Sequence, residues 1–205
     1  MNRKELAILL SKLKGFESSK AKLEQYSTNS EIASDCLWNI FMKDGFSKKV
    51  VADFGCGPGI LGIGALALGA SKAMLLEVDP AAVDIAKQNL KIIEGLLGEE
   101  LNAEFLNIPL NKFKRRVDIV LQNPPFGVQD THADRVFLIK AMECSDLIYS
   151  FHKIESEDFV KKLSEDHGFK ASLYLKYKFP LMNTMRFHTK NVHYVDVGCF
   201  RILKN

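Results

Sequence analysis

Asp53-Phe54-Gly55-Cys56-Gly57-Pro58-Gly59 is the stretch that most narrows what this chain can fold into. Glycine enters left-handed backbone conformations without a steric penalty, so three of them at every second position let the chain turn sharply and approach a neighbour closely. The run before it, Lys49 to Phe54, is rich in β-branched residues and reads as a buried strand. The run after it, Ile60 to Gly69, is apolar and reads as a helix. Strand, glycine turn and helix in that order make the opening unit of a parallel sheet with crossover helices. A bare GxG would suit an ordinary tight turn equally well, so the rest of the chain must be read with it.

The alternation continues. Lys72 to Val78 reads as a second strand, and Asp79-Pro80 opens a helix to about Leu96, with Asp as N-cap and Pro at the first helical position. Ala103–Leu106 and Val117–Gln122 are the third and fourth strands. A loop over 123–133 precedes a helix from Arg135 to Cys144. A strand from Leu147 to Phe151 and a helix from Ser156 to Gly168 follow. The strand candidates 169–179 and 191–203 have no helix between them, so they should pair antiparallel. Upstream, Leu6, Leu9, Leu10 and Leu13 predict an amphipathic helix over 3–13, ended by Gly15. Thr28 and Glu31 fit a capping box opening a second helix to about Met42. The expected fold is α/β: a seven-stranded, Rossmann-like, mostly parallel sheet with a C-terminal antiparallel hairpin. Residues 1–42 would be an N-terminal helical extension packed on a core domain of residues 43–205.

Composition removes several classes. At 205 residues, 47% hydrophobic and 26% charged, the chain is an ordinary globular one, neither collagen, coiled coil nor wholesale disorder. Cysteines 36, 56, 144 and 199 form no CxxC pair and have no histidine at zinc spacing, so free thiols in a reducing compartment and no metal are expected. The N-terminus is amphipathic at once, which argues against a signal peptide. The longest apolar stretch, Gly59 to Ala70, is short of the roughly 20 residues that span a bilayer. A cytoplasmic protein without membrane association is expected. The net charge of +3 hides a split: +3 over residues 1–29, −4 over 30–150, and +4 over 151–205. Residues 168–205 alone hold seven basic groups and one acid, Asp196.

Ligands of such sheets bind beyond the carboxyl ends of the strands. The spacing here is GxGxG rather than the dinucleotide GxGxxG, and no Lys-Ser/Thr follows as in a P-loop. Glu77 ends the second strand, where a carboxylate can accept both hydroxyls of a ribose. A ribose-bearing ligand without phosphates would fit, and S-adenosylmethionine is one. With these residues together, the chain over about 49–151 resembles the seven-stranded S-adenosylmethionine-dependent methyltransferases. The second motif is Asn123-Pro124-Pro125-Phe126-Gly127, directly after strand four. Proline cannot continue a ladder, so the chain leaves the sheet there, and the two rings stiffen the loop. An ordinary proline turn with Phe126 in the core is the plainer reading. In the functional reading the Asn123 amide oxygen and the Pro124 carbonyl accept hydrogen bonds from an amine being methylated, while Phe126 stacks on a planar base. Asn123, Pro124, Pro125 and Phe126 are thus the candidate catalytic residues.

Three further stretches, Leu23 to Thr28, Tyr149 to Lys153, and Arg186 to Lys190, complete a pattern similar to the methyltransferase-like 5 family of ribosomal-RNA adenosine-N6 methyltransferases. The resemblance implies that Gln25 and Thr28 reach over the cofactor. Gly55, Gly57 and Gly59 would line its methionine moiety, with Asp53 near its amino group. Glu77 would hold the ribose, and Asn107 and Ile108 would flank the adenine. The family usually has Asp at the position of Asn107 and at that of Glu77. It also implies RNA as substrate and a small zinc-binding activator protein as a candidate partner, for which Leu6, Leu10 and the apolar sheet edge are available. Lys176, Lys178, Arg186, Phe187, His188 and Lys190 are the expected RNA contacts, the cations meeting phosphates and the ring stacking on unpaired bases. Other readings stay open at this stage: a guanine-N2 RNA methyltransferase, a protein glutamine-N5 methyltransferase, or a non-catalytic RNA-binding assembly factor.

Overall fold

The computed structural model describes residues 1–16, 28–125, 133–182 and 192–205. Helix α1 (Arg3–Leu10) is opened by a capping box between Asn2 and Glu5. Helix α2 (Ser30–Lys43) is capped by Asn29, whose side-chain oxygen accepts the Glu31 N–H at 2.8 Å. The Thr28–Glu31 box expected from the sequence does not form. Asn ranks above Thr at an N-cap, and its use here leaves the Thr28 hydroxyl for another partner.

The core then alternates as β1 (Val50–Phe54), α3 (Ile60–Ala67), β2 (Lys72–Leu76), α4 (Pro80–Leu97) and β3 (Ala103–Leu106). It continues as β4 (Ile119–Gln122), α5 (Ala133–Cys144), β5 (Leu147–Lys153), α6 (Glu157–Asp166), β6 (Phe169–Met182) and β7 (Val192–Lys204). Seven strands form one sheet in the order β3-β2-β1-β4-β5-β7-β6. β1 to β5 pair in parallel, and β7 pairs antiparallel with both β5 and β6. The order reverses between β1 and β4, which run side by side with Phe54 opposite Gln122. Ligands of such sheets bind beyond the carboxyl ends of the strands at this switch point.

Both sheet faces are covered. Leu6 and Leu10 of α1 and Leu37 of α2 pack with Val51, Leu121, Tyr149 and Cys199 on one face. Leu138 of α5 and Val160 of α6 pack with Phe54, Val120, Ile148 and Phe200 on the other. Leu6 and Leu10, expected to be available to a partner, are instead 0% and 1% exposed. Their i, i+4 spacing puts both on the stripe facing α2, where burial of each contributes about 1.5–3 kcal/mol. On β6, a bulge between Leu173 and Leu175 resets the alternation. Beyond it Tyr177 and Phe179 pack on the core while Lys176 and Lys178 stand exposed. No helix among the described residues is long and apolar enough to cross a membrane.

Candidate active site

The glycine loop lies at the head of β1. Gly55, Gly57 and Gly59 all have positive φ, of 65°, 51° and 87°. At Gly59 a Cβ would come within 3.0 Å of the Ile63 and Leu75 methyls, and the φ of 87° strains any other residue there. At Gly57 a Cβ would lie 2.8 Å from Cζ of Phe16, whose ring rests on the loop from outside.

Two carboxylates hold this loop. Asp53 is 1% exposed, and its Oδ2 accepts the Gly62 N–H at 2.8 Å, one of the otherwise unpaired donors at the start of α3. Burial raises its pKa from 3.8 to about 7; the Gly62 bond opposes that shift and the nearby Glu77 adds to it. Glu77 closes β2. Its Oε2 accepts from Gly57 N–H at 2.9 Å, and its Oε1 accepts from Val78 N–H at 2.9 Å and Asp79 N–H at 3.0 Å. The carboxylate that would hold the ribose thus also fixes the loop that would hold the methionine end.

Asn107 follows β3, and its Nδ2 donates to the carbonyls of Glu77 at 2.8 Å and Val78 at 3.1 Å. An aspartate could make neither donation. The amide therefore clamps the chain leaving β2. Ile108 beside it is half-buried against the cluster that contains Phe54.

Sequence reasoning missed the anchoring of the N-terminal segment. Asn89 of α4 is fully buried. Its Oδ1 accepts the Lys14 N–H at 2.8 Å, and its Nδ2 donates to the carbonyls of Lys14 and Pro58, both at 2.9 Å. One amide thus ties the segment after α1 to the glycine loop and brings Phe16 onto Gly57. A signal was present: Asn89 is a polar residue on the buried stripe Ala82-Ala86-Asn89-Ile93.

The Asn-Pro-Pro loop begins one residue beyond β4. Asn123 Nδ2 donates to the Thr28 hydroxyl at 3.0 Å. Its Oδ1 is buried and has no hydrogen-bond partner among the described residues. Pro124 is buried and Pro125 half-buried. Beneath this loop lies a polar chain: Gln122 Nε2 donates to Ser150 Oγ at 2.9 Å, and Ser150 Oγ is 2.6 Å from His152 Nε2. Ser150 Oγ thus accepts from Gln122 and shares a second hydrogen bond with His152 Nε2, whose direction follows the tautomer of the ring. Burial lowers the His152 pKa to about 3, so the ring is neutral.

The expected RNA surface is partly on view. Lys170, Lys176 and Lys178 are exposed along β6, and Tyr194 on β7 is 65% exposed. Arg201 of the same hairpin is withdrawn from it: its guanidinium grips Asp44 through two bonds of 3.0 Å. Gln25, Phe126, Arg186, Phe187, His188 and Lys190 lie outside the described residues. No group of His, Cys, Asp or Glu suited to a metal ion occurs among the described residues.

Two buried carboxylates, Asp53 and Glu77, brace a glycine loop at the β1/β4 switch point, an arrangement characteristic of the S-adenosylmethionine-dependent methyltransferases, the class to which this chain belongs. The family model described as ribosomal protein L11 methyltransferase (PrmA) matches residues 33–124, the stretch that carries the glycine loop. An uncharacterised protein of Methanocaldococcus jannaschii is 38% identical, with 100% of this chain and 95% of that one covered. The rRNA N6-adenosine-methyltransferase METTL5 of Danio rerio is 32% identical, with 98% of each chain covered. A solved structure from Pyrococcus horikoshii, provisionally described as an RNA methyltransferase, superposes with a TM-score of 0.89 at 43% identity, covering 100% of this chain and 98% of that one. The chain belongs to the METTL5 family of rRNA N6-adenosine methyltransferases.

Proposed function

We propose that the protein methylates N6 of an adenosine in structured RNA, with small-subunit ribosomal RNA as the substrate and S-adenosylmethionine as the methyl donor. The observation that carries this reading is the Asn123 Oδ1: a buried acceptor without a partner among the described residues, at the carboxyl end of β4 beside the glycine loop. A buried polar atom left unpaired costs roughly 1–3 kcal/mol, and an incoming N–H would recover that cost. When bound, S-adenosylmethionine supplies the methyl group and the positive sulfur. Asn123 Oδ1 and the Pro124 carbonyl accept the two N–H groups of the exocyclic amine, which turns its lone pair toward the methyl carbon. That nitrogen is a poor nucleophile because its lone pair is delocalised into the ring, so positioning supplies most of the rate. Phe126 stacks on the base. Asp53 and Glu77 face the cationic nucleoside, the glycines admit it closely, Gln25 and Thr28 cover it, and Asn107 and Ile108 flank its adenine.

Lys176, Lys178, Arg186 and Lys190 meet RNA phosphates, with Phe187 and His188 beside them. The target base must be single-stranded or flipped to reach the cleft. A small activator protein and cytoplasmic residence belong to the same reading. With Leu6 and Leu10 in the core, the outermost strands β3 and β6 are where such a partner would add. The test is Asn123→Ala. Methyl transfer to ribosomal RNA should fall by about 100-fold or more, while cofactor affinity by calorimetry stays within about twofold. Full activity in that variant would refute the role of Asn123.

A further inference from the structure

β7 reaches past the strand it closes on. It pairs with β5 over residues 197–203, and Lys153, the last residue of β5, lies opposite Val197. Because β7 runs antiparallel to β5, residues 192–196 continue beyond the carboxyl end of β5 with β6 alone beside them. The hairpin therefore overhangs the edge of the sheet from which the glycine loop and the Asn-Pro-Pro loop also emerge. Gln122 pairs with Ser150, which puts Asn123 near the level of Phe151 and its partner Cys199. Tyr194 stands five residues further out along β7 than Cys199. At about 3.4 Å per residue and about 4.8 Å per strand spacing, it lies about 17 Å beyond Asn123 and about 10 Å to its side.

Alternation decides what the overhang presents. Val195, Val197 and Cys199 of β7, with Tyr177 and Phe179 of β6, turn to the core shared with α1 and α2. Tyr194 and Asp196 turn to the opposite face, as do Lys176 and Lys178, with Lys178 directly across from Asp196. Nearer the middle of the sheet that face is covered, and Phe200 and Ile202 are buried with Leu138 of α5 and Val160 of α6. At Tyr194 the cover has ended: its side chain is 65% exposed, and both lysines are exposed beside it. Asp196, next to Tyr194 on this face, repels phosphate, so the outer end of the hairpin offers a ring rather than a charge.

We propose that Tyr194 is a stacking platform for an unpaired RNA base that flanks the target adenosine, with Lys176 and Lys178 on the same face meeting the neighbouring phosphates. An aromatic face beside cations is how single-stranded nucleic acid is held: the base stacks on the ring and the backbone follows the charge. The spacing excludes the target base itself, which Asn123 receives; the ring meets a base further along the same strand. The proposal rests on the reading of RNA as the substrate and deepens it, because it names a contact that fixes which stretch of strand lies across the cleft.

The test uses the full-length protein and a synthetic RNA that carries the methylated adenosine in an unpaired stretch. Tyr194→Leu keeps apolar bulk and removes the aromatic face; Tyr194→Phe keeps the ring and removes the hydroxyl. The Kd for this RNA should rise by about 5- to 100-fold in Tyr194→Leu and stay within about twofold in Tyr194→Phe, the loss being that of one stacked base. The slope of log Kd against log salt should match wild type in both, because no phosphate contact is removed. An abasic nucleotide moved along the strand should weaken wild type at one flanking position, and there Tyr194→Leu should lose nothing more. RNA binding by Tyr194→Leu as tight as that of wild type would overturn the proposal. So would a Tyr194→Phe variant as weak as Tyr194→Leu, or a salt slope reduced by about 0.9, the value of one phosphate. Penalties that add in full at every flanking position would likewise overturn it. An equal loss of affinity for S-adenosylhomocysteine in Tyr194→Leu would make the residue structural and overturn it too. If wild type methylates another group of the RNA, the adenosine reading fails, and the same comparison on that RNA still judges Tyr194. A wild type that binds no RNA overturns both.

Discussion

Asp53 should impose a pH dependence on stability opposite in sign to that of an ordinary native carboxylate. In the unfolded chain it ionises near 3.8; buried in the fold it ionises near 7. Between these values the folded state holds a proton that the unfolded state has lost. Stability contributed by this group is therefore fully present below about pH 4 and lost as pH rises toward 7. Three pH units at about 1.4 kcal/mol each give a loss of about 4 kcal/mol. Asp53→Asn keeps the shape and an acceptor for the Gly62 N–H but cannot ionise. Denaturant unfolding of both proteins from pH 4 to pH 8 isolates the effect, because other titrating groups cancel in the difference. The variant should gain on wild type steadily to about pH 7 and then hold its lead. Calorimetry supplies the functional counterpart. A cationic cofactor favours the ionised carboxylate, so wild-type affinity for S-adenosylmethionine should rise with pH up to about 7 and then level, while Asp53→Asn binds weakly and without that slope. A flat stability difference across the range would refute the placement of Asp53 as an uncompensated buried acid.

Asn89→Ala strands one N–H and two carbonyls and should cost about 1–3 kcal/mol of stability; thermal unfolding and proteolysis near Lys14 would show it, and a variant as stable and resistant as wild type would rule out the anchor. Neutralising Lys176, Lys178, Arg186 and Lys190 together should weaken RNA binding and flatten its dependence on log salt by up to about 3 to 4, at about 0.9 for each phosphate no longer neutralised. Cofactor affinity should not move, and an unchanged salt slope would take these residues off the RNA surface.

The legible parts of this molecule are those written in contiguous residues. β1, with its paired valines before the glycine loop, and the helix start at Asp79-Pro80 are marked by local pattern and punctuation, and they appear where the sequence puts them. The glycine loop, Glu77 and Asn123 are visible because each sits at a strand end within a compact motif. Thr28 reads as a cap because local pattern cannot rank it against Asn29 when a partner 95 residues away is in reach. Asn89 and the chain from Gln122 through Ser150 to His152 are hidden for the same reason: their partners are set by tertiary packing. Arg201, one of the seven basic groups of residues 168–205, is spent inside the fold, and composition does not reveal that Asp44 waits across it.

The central claim is the identity of the methylated atom. Small-subunit ribosomal RNA incubated with the purified protein and isotopically labelled S-adenosylmethionine, digested and resolved by nucleoside mass spectrometry, tests it most directly. The label should appear in N6-methyladenosine, and only there. Label in a methylated guanosine, or in protein glutamine with none in RNA, would contradict it.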